Sequence, residues 1–332
     1  MMNKFKELLF LSNIKRVGKG TINDKYLELV KNSENFNDLI SNKVITSKYS
    51  KEKIVDAIAK TEPIYEEVIN NPEITVITPF DQEYPDKLND MGNKKPIFLY
   101  VKGNVEALSK PNMAVIGTRK PSENSQIFEK ELVKAVLDQS DRAIISGLAL
   151  GCDKIAHETT VMENKVTIAI LPSGFNNIAP ASHKKLAEEI IENGGCLVSE
   201  YAPNIKANKG YYVDRDQIVA AFSDINFVIQ CGEKSGTMHT VNATINYKNS
   251  DSDYHRDLYV YLPNELSKEN YINDNPIGDY SGNVKILNDG NGTRVSDIEE
   301  FCEELAILDS SPNIKKSSKP KSTKKSKQTT LF

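Results

Sequence analysis

Long apolar runs are missing from this chain of 332 residues: the cleanest, such as Val166 to Leu171, fall far short of the ~18 positions needed to cross a bilayer. No membrane partner is expected. Near the amino terminus only Leu8 to Leu11 is apolar, too brief for a signal-peptide core of about 7–15 residues, so a cytoplasmic location is expected rather than export. Cysteine is scarce as well. Cys152, Cys196, Cys231 and Cys302 lie far apart, with no Cys-x-x-Cys pair and no histidine at ligand spacing beside them, which predicts buried thiols in a reducing compartment and no metal site. Arginine is rare: only Arg16, Arg119, Arg142, Arg215, Arg256 and Arg294 stand among 42 basic residues, so each is worth locating.

What is present suffices for a folded protein. With 39% apolar and 27% charged residues, the chain can bury an ordinary core and is expected to hold two or three units. The net charge of −4 is unevenly placed. Residues 310–332 carry seven lysines and no acid, which leaves 35 basic against 46 acidic residues, a net of −11, for residues 1–309.

Three segments follow from the patterning. Residues 1–70 read as short helices, with Phe5, Leu8 and Leu9, and again Ile54, Ala57 and Ile58, at helical spacing. Within them Lys15-Arg16-Val17-Gly18-Lys19-Gly20 sits between apolar stretches, as in a helix-hairpin-helix (SAM-like) unit whose glycines admit a phosphate to the backbone. A plain turn between two packed helices fits equally well. Residues 71–309 begin with a β-rich lead-in at Ile74 to Ile77 and Ile97 to Val101. Strands at Met113, Ala143, Thr167, Cys196, Ile225 and Leu258 then alternate with amphipathic helices, a pattern that predicts an α/β, Rossmann-like doubly wound parallel sheet. The stretch from 265 to 309 is acidic and ends in a helix around Asp297 to Leu305. Residues 310–332 are Lys, Ser, Thr and Pro with little apolar content, and are expected to stay unfolded.

In a doubly wound sheet, ligands sit beyond the carboxyl ends of the strands, where helix amino termini offer N–H groups and partial positive charge. Four such loops combine glycine, hydroxyl and cation: Gly117-Thr118-Arg119-Lys120, Ser146-Gly147 to Asp153, Lys209 to Asp214 leading to Arg215, and Gly232-Glu233-Lys234-Ser235-Gly236-Thr237. Together they suit a phosphate-bearing ligand. Neither Gly-x-Gly-x-x-Gly nor a P-loop is present, which disfavours a dinucleotide cofactor or an ATPase, and no cofactor is expected.

Several blocks, in unbroken order from Tyr84 to Leu305, resemble the DprA/Smf family of DNA-processing proteins. They are Tyr84-Pro85 with Pro96 to Asn104, Val115 to Arg119, Ile145 to His157, Val198 to Tyr201, Arg215 to Val219, and Ser235 to Thr240. The resemblance implies a bacterial protein without catalytic activity that binds single-stranded DNA, forms a homodimer and loads the RecA recombinase during natural transformation or repair. It also implies that Arg119 contacts the DNA backbone, that Lys209 and Tyr212 hold a phosphate and stack on a base, and that Ser235, Gly236 and Thr237 line the DNA. Two departures stand out: Leu150 replaces the arginine of the usual Gly-Leu-Ala-Arg-Gly, and Arg215-Asp216-Gln217 replaces Arg-Asn-Arg, losing a cation and gaining an acid. Weaker or more local DNA binding is expected from them. Arg215 and Asp153 are also candidates for structural ion pairs at helix starts.

Two other readings stay open. Related Rossmann-like proteins include nucleotide-binding sensors and nucleoside-monophosphate phosphoribohydrolases, but the acid that follows their Gly-Thr is absent after Thr237, and Asp153, His157 and His239 are the only titratable groups near the loops that catalysis could enlist, with structural use the favoured reading. The carboxyl end, Gln328-Thr329-Thr330-Leu331-Phe332, resembles the short motif that docks on the replication sliding clamp, with Gln328 orienting and Leu331 and Phe332 anchoring. A solvated basic tail that holds nucleic acid without specificity is the alternative.

Overall fold

The computed structural model describes residues 4–250, 254–264, 266 and 278–310. The expected clamp motif at Gln328, Leu331 and Phe332 lies outside them.

Helical spacing of apolar residues gives six helices in the first seventy residues: α1 (Phe5–Asn13), α2 (Lys19–Lys25), α3 (Leu27–Asn32), α4 (Phe36–Ser41), α5 (Lys43–Lys48) and α6 (Lys51–Ile69). Strands β1 (Ile74–Ile77) and β2 (Leu99–Gly103) follow, separated by 3₁₀ turns within Asp86–Lys94. The alternating part then runs β3 (Asn112–Ile116), α7 (Glu123–Gln139), β4 (Ala143–Ser146), α8 (Cys152–Met162), β5 (Thr167–Leu171), α9 (Lys184–Glu192), β6 (Cys196–Ser199), α10 (Lys209–Phe222), β7 (Ile225–Val228), α11 (Thr237–Lys248) and β8 (Asp257–Tyr261). It ends with α12 (Ser281–Asn288), β9 (Thr293–Val295) and α13 (Ile298–Ser310).

All nine strands form one sheet in the order β1-β2-β6-β5-β4-β3-β7-β8-β9. From β6 to β9 the pairing is parallel, as the strand–helix alternation requires, and the fold is α/β and Rossmann-like. The lead-in strands join the same sheet antiparallel at its edge, Val101 opposite Val198 and Thr75 opposite Val101. β9, only three residues long, extends the other edge where the sequence showed no strand.

Successive strand residues point to opposite faces, and both are buried. Met113 and Val115 pack with Phe128, Leu132 and Phe301 from α7 and α13, while Ala114 and Ile116 pack with Ile218, Phe222 and Val241 from α10 and α11. The amino-terminal helices share an apolar cluster with the sheet, in which Phe5 meets the rings of Phe98 and Tyr100 edge-on at 5.5 and 5.8 Å. All four cysteines are buried and unpaired, as expected.

Candidate nucleic-acid interface

Between β3 and β7 the chain crossovers leave in opposite directions, so the carboxyl ends of these two strands open a crevice. A cleft of about 520 Å3 lies there, and the loops singled out in the sequence converge on it.

The first loop is held in place by its neighbours. Thr118 N–H donates to the Gln230 carbonyl at 2.7 Å, Thr237 Oγ1 donates to the Gly117 carbonyl at 3.0 Å, and Ser122 N–H donates to Gln230 Oε1 at 2.8 Å. Close packing beneath it demands glycine. A Cβ on Gly117 would stand 2.4 Å from Cys152 Sγ, and one on Gly151, which has φ +78°, would stand 2.3 Å from the Thr118 carbonyl oxygen. The second loop is wrapped around a carboxylate: Asp153 Oδ2 accepts the N–H groups of Gly147 and Ala149 at 3.1 and 3.2 Å. The helix that carries the cleft wall, α10, starts at an Asn208 cap whose side chain accepts from Tyr211 N–H at 3.2 Å. That start places Lys209 and Tyr212 three residues apart, on one side of the helix and next to its positive end.

Gly117, Thr118, Arg119, Gly147, Lys209, Tyr212, Arg215, Ser235, Gly236 and Thr237 thus all line one cleft. Arg119 and Lys209 are exposed, and among the described residues neither has a carboxylate at ion-pair distance. The Arg119 guanidinium carbon lies 5.7 Å from the Tyr212 ring centre, and that of Arg215 lies 5.9 Å from it. Lys120 and Lys234 are exposed on the same loops but outside the cleft lining.

Arg215 belongs to the frame of the site. It is only 6% exposed, its Nη1 donates to the carbonyls of Gly147 and Ile170, the latter at 3.2 Å, and its Nε donates to Asp216 Oδ1 at 2.8 Å. Asp153 Oδ2 stands 3.9 Å from the same guanidinium. Gly147 is a glycine for this reason, since a Cβ there would fall 1.3 Å from Arg215 Nη1. Burial pushes the Asp216 carboxyl above its ordinary range, with Arg215 pulling the other way. His157 is remote from any such role: burial pushes its imidazole down to about 3, and its Nδ1 is bonded to Thr167 Oγ1 at 2.7 Å beneath the sheet.

The glycine-rich turn between α1 and α2 divides. Lys15, Arg16 and Gly18 are exposed, with the left-handed φ of +71° at Arg16 rather than at a glycine. Lys19 turns inward to Glu200 at 3.0 Å and Asp214 at 3.7 Å, and so ties α2 to the foot of α10, while Gly20 packs toward the Asn93 carbonyl. None of these five residues lines the cleft. Nothing in the sequence marks Gln230, which clamps the first loop through both its carbonyl and its amide, whereas Asp216 and His239, noted beside the loops in the sequence, do stand in the lining.

The sequence profile described as DNA recombination-mediator protein A matches residues 75–305. Protein Smf from Borreliella burgdorferi is 31% identical over 266 residues, covering 77% of this chain and 78% of that protein. DNA processing protein DprA from Bacillus subtilis is 30% identical over 168 residues, covering 50% of this chain and only 56% of the relative. Among solved structures, DNA processing protein A from Streptococcus pneumoniae shares the fold, with a TM-score of 0.69 at 20% identity over 90% of this chain and 96% of that one. DNA processing protein A from Helicobacter pylori, whose structure is described for its single-stranded DNA binding mode, aligns with a TM-score of 0.58 at 26% identity over 71% of this chain and 97% of that one. A profile match across most of the chain and a relative that aligns along most of its own length lead to one conclusion: the chain belongs to the DNA recombination-mediator protein A family, the DprA/Smf proteins.

Proposed function

We propose that this protein binds single-stranded DNA in the cleft between β3 and β7 and, as a homodimer, acts without catalysis as a recombination mediator that loads the RecA recombinase. The observation that carries the reading is the grouping of Arg119, Lys209 and Tyr212 around one open cleft. Two exposed cations neutralise phosphates, and a half-buried aromatic ring in the same cleft accepts any base on its face. The described binding mode of the Helicobacter pylori relative supports the same ligand. Both cleft carboxylates are already engaged, Asp153 by two loop N–H groups and Asp216 by Arg215, an arrangement that suits binding better than general acid–base work on a nucleotide.

Fluorescence anisotropy with labelled single strands and hairpin duplexes across a salt series tests the reading. Arg119→Ala and Lys209→Ala are each expected to weaken single-strand binding and to flatten the salt slope by about 0.7 per lost phosphate contact. Tyr212→Ala is expected to cost about 1–3 kcal/mol with the slope unchanged. Wild-type affinity in all three variants overturns the assignment, and release of free base from nucleoside monophosphates would move the protein to the hydrolase class.

A further inference from the structure

A second cavity, of about 430 Å3, opens beside the cleft between α10 and α11. Val213 and His239 line both cavities, so the two adjoin. Their linings differ in kind. The cleft takes Lys209, Tyr212 and Asp216 from α10, whereas the groove takes Val213 and Gln217, the adjacent stripe of the same helix. From α11 it takes His239, Asn242 and Asn246, spaced by three and four residues on one face, and Asn93 stands at its end. Four carboxamides therefore surround a space that holds little net charge. Its one carboxylate, Asp90, is held by Arg256 at 2.7 Å.

We infer that this groove seats an unpaired nucleobase of the strand whose phosphates lie on Arg119 and Lys209, and that Gln217, Asn242 and Asn246 read its hydrogen-bonding edge. The inference rests on the single-strand binding proposed above. A carboxamide presents a donor and an acceptor side by side, which matches the paired donor and acceptor on the edge of a base and is the usual protein partner for adenine. Phosphate is the wrong guest for such a lining, because only Lys94 at the rim brings a cation. The base must also be unpaired, because a groove between two packed helices admits a base swung out of a single strand but not a double helix. Gln217 stands where the family resemblance leads one to expect arginine, so at this point the chain exchanges phosphate neutralisation for edge recognition.

Asn242 and Asn246 are exposed on α11, and alanine favours a helix more than asparagine does, so the double variant Asn242→Ala/Asn246→Ala keeps its fold. Anisotropy of the full chain with labelled dA, dC and dT oligonucleotides across a salt series decides the matter, with Arg119→Ala measured alongside. The double variant is expected to lose at least about fivefold in affinity for one or more of the three homopolymers while keeping the wild-type salt slope, whereas Arg119→Ala weakens all three and flattens the slope. Wild-type affinity of the double variant for all three, or a loss accompanied by a changed slope, overturns the inference and leaves the cleft assignment standing. Failure of the wild type to bind any single strand overturns both.

Discussion

A cation beside a binding cleft is not necessarily offered to the ligand, and the two arginines near Tyr212 show the difference. Arg119 ends in solvent, while Arg215 spends its donors on the Gly147 and Ile170 carbonyls and on Asp216. Asp216 is one of the two carboxylates in the cleft lining, and burial raises its affinity for a proton. On acidification it is therefore neutralised before an ordinary aspartate is, and a neutral side chain repels phosphate less, so single-strand affinity is expected to rise as pH falls toward that raised value. Asp216→Asn should bind more tightly than wild type at neutral pH and lose this part of the pH dependence, with Asn Oδ1 still accepting from Arg215 Nε. Anisotropy titrations at neutral and mildly acidic pH check both. Arg119, Lys209 and Tyr212 were legible in the sequence because they follow glycine or begin a helix in loops at the carboxyl ends of strands. For Arg215 a structural pairing with Asp153 was one of two readings the sequence allowed, and the two lie 3.9 Å apart; its bonds to the Gly147 and Ile170 carbonyls were not legible, since a lone arginine in a helix does not say which carbonyls lie beneath it.

At the scale of elements, the parallel strands were legible because each is buried on both faces and reads as a short continuous apolar run. β9 was not, being three residues long with only Val295 buried, and neither was the antiparallel docking of β1 and β2, since pairing direction leaves no mark on so short a strand. The glycine loops were legible as loops, but what each glycine is for emerges only from its neighbours. A methyl group on Gly147 collides with the buried Arg215 guanidinium, whereas one on Gly236 meets nothing within 4 Å. Gly147→Ala is thus expected to displace Arg215 from its partners and to cost about 3–5 kcal/mol, the range for breaking a buried charged pair. Gly236→Ala should change stability little. Urea denaturation of the two variants separates a loop that frames the site from one that only borders it.

For the molecule as a whole, the net of −11 over residues 1–309 means that a nucleic-acid surface on this part must be a local patch on an acidic body. The amino-terminal helices are joined to this body by apolar packing and by Lys19, which meets the Glu200 carboxylate in a largely buried position. Burial already raises Glu200, and Lys19 is what opposes it. Lys19→Met removes that partner, and its cost appears where Glu200 would be ionised: about 3–5 kcal/mol at neutral pH, shrinking in acid once the carboxyl takes up its proton. Urea denaturation at the two pH values measures the difference, and an equal loss at both would assign Lys19 a role in packing alone.

The unbroken course of α10 from its Asn208 cap makes it a ruler with fixed graduations. Each residue turns the helix by about 100°, so inserting or deleting a single residue between Tyr212 and Gln217 would swing the amide stripe roughly a quarter-turn or more away from the cationic one. Length changes in this protein can accumulate in the turns on either side of that rod, but within it the count from Lys209 to Gln217 is a dimension of the site itself.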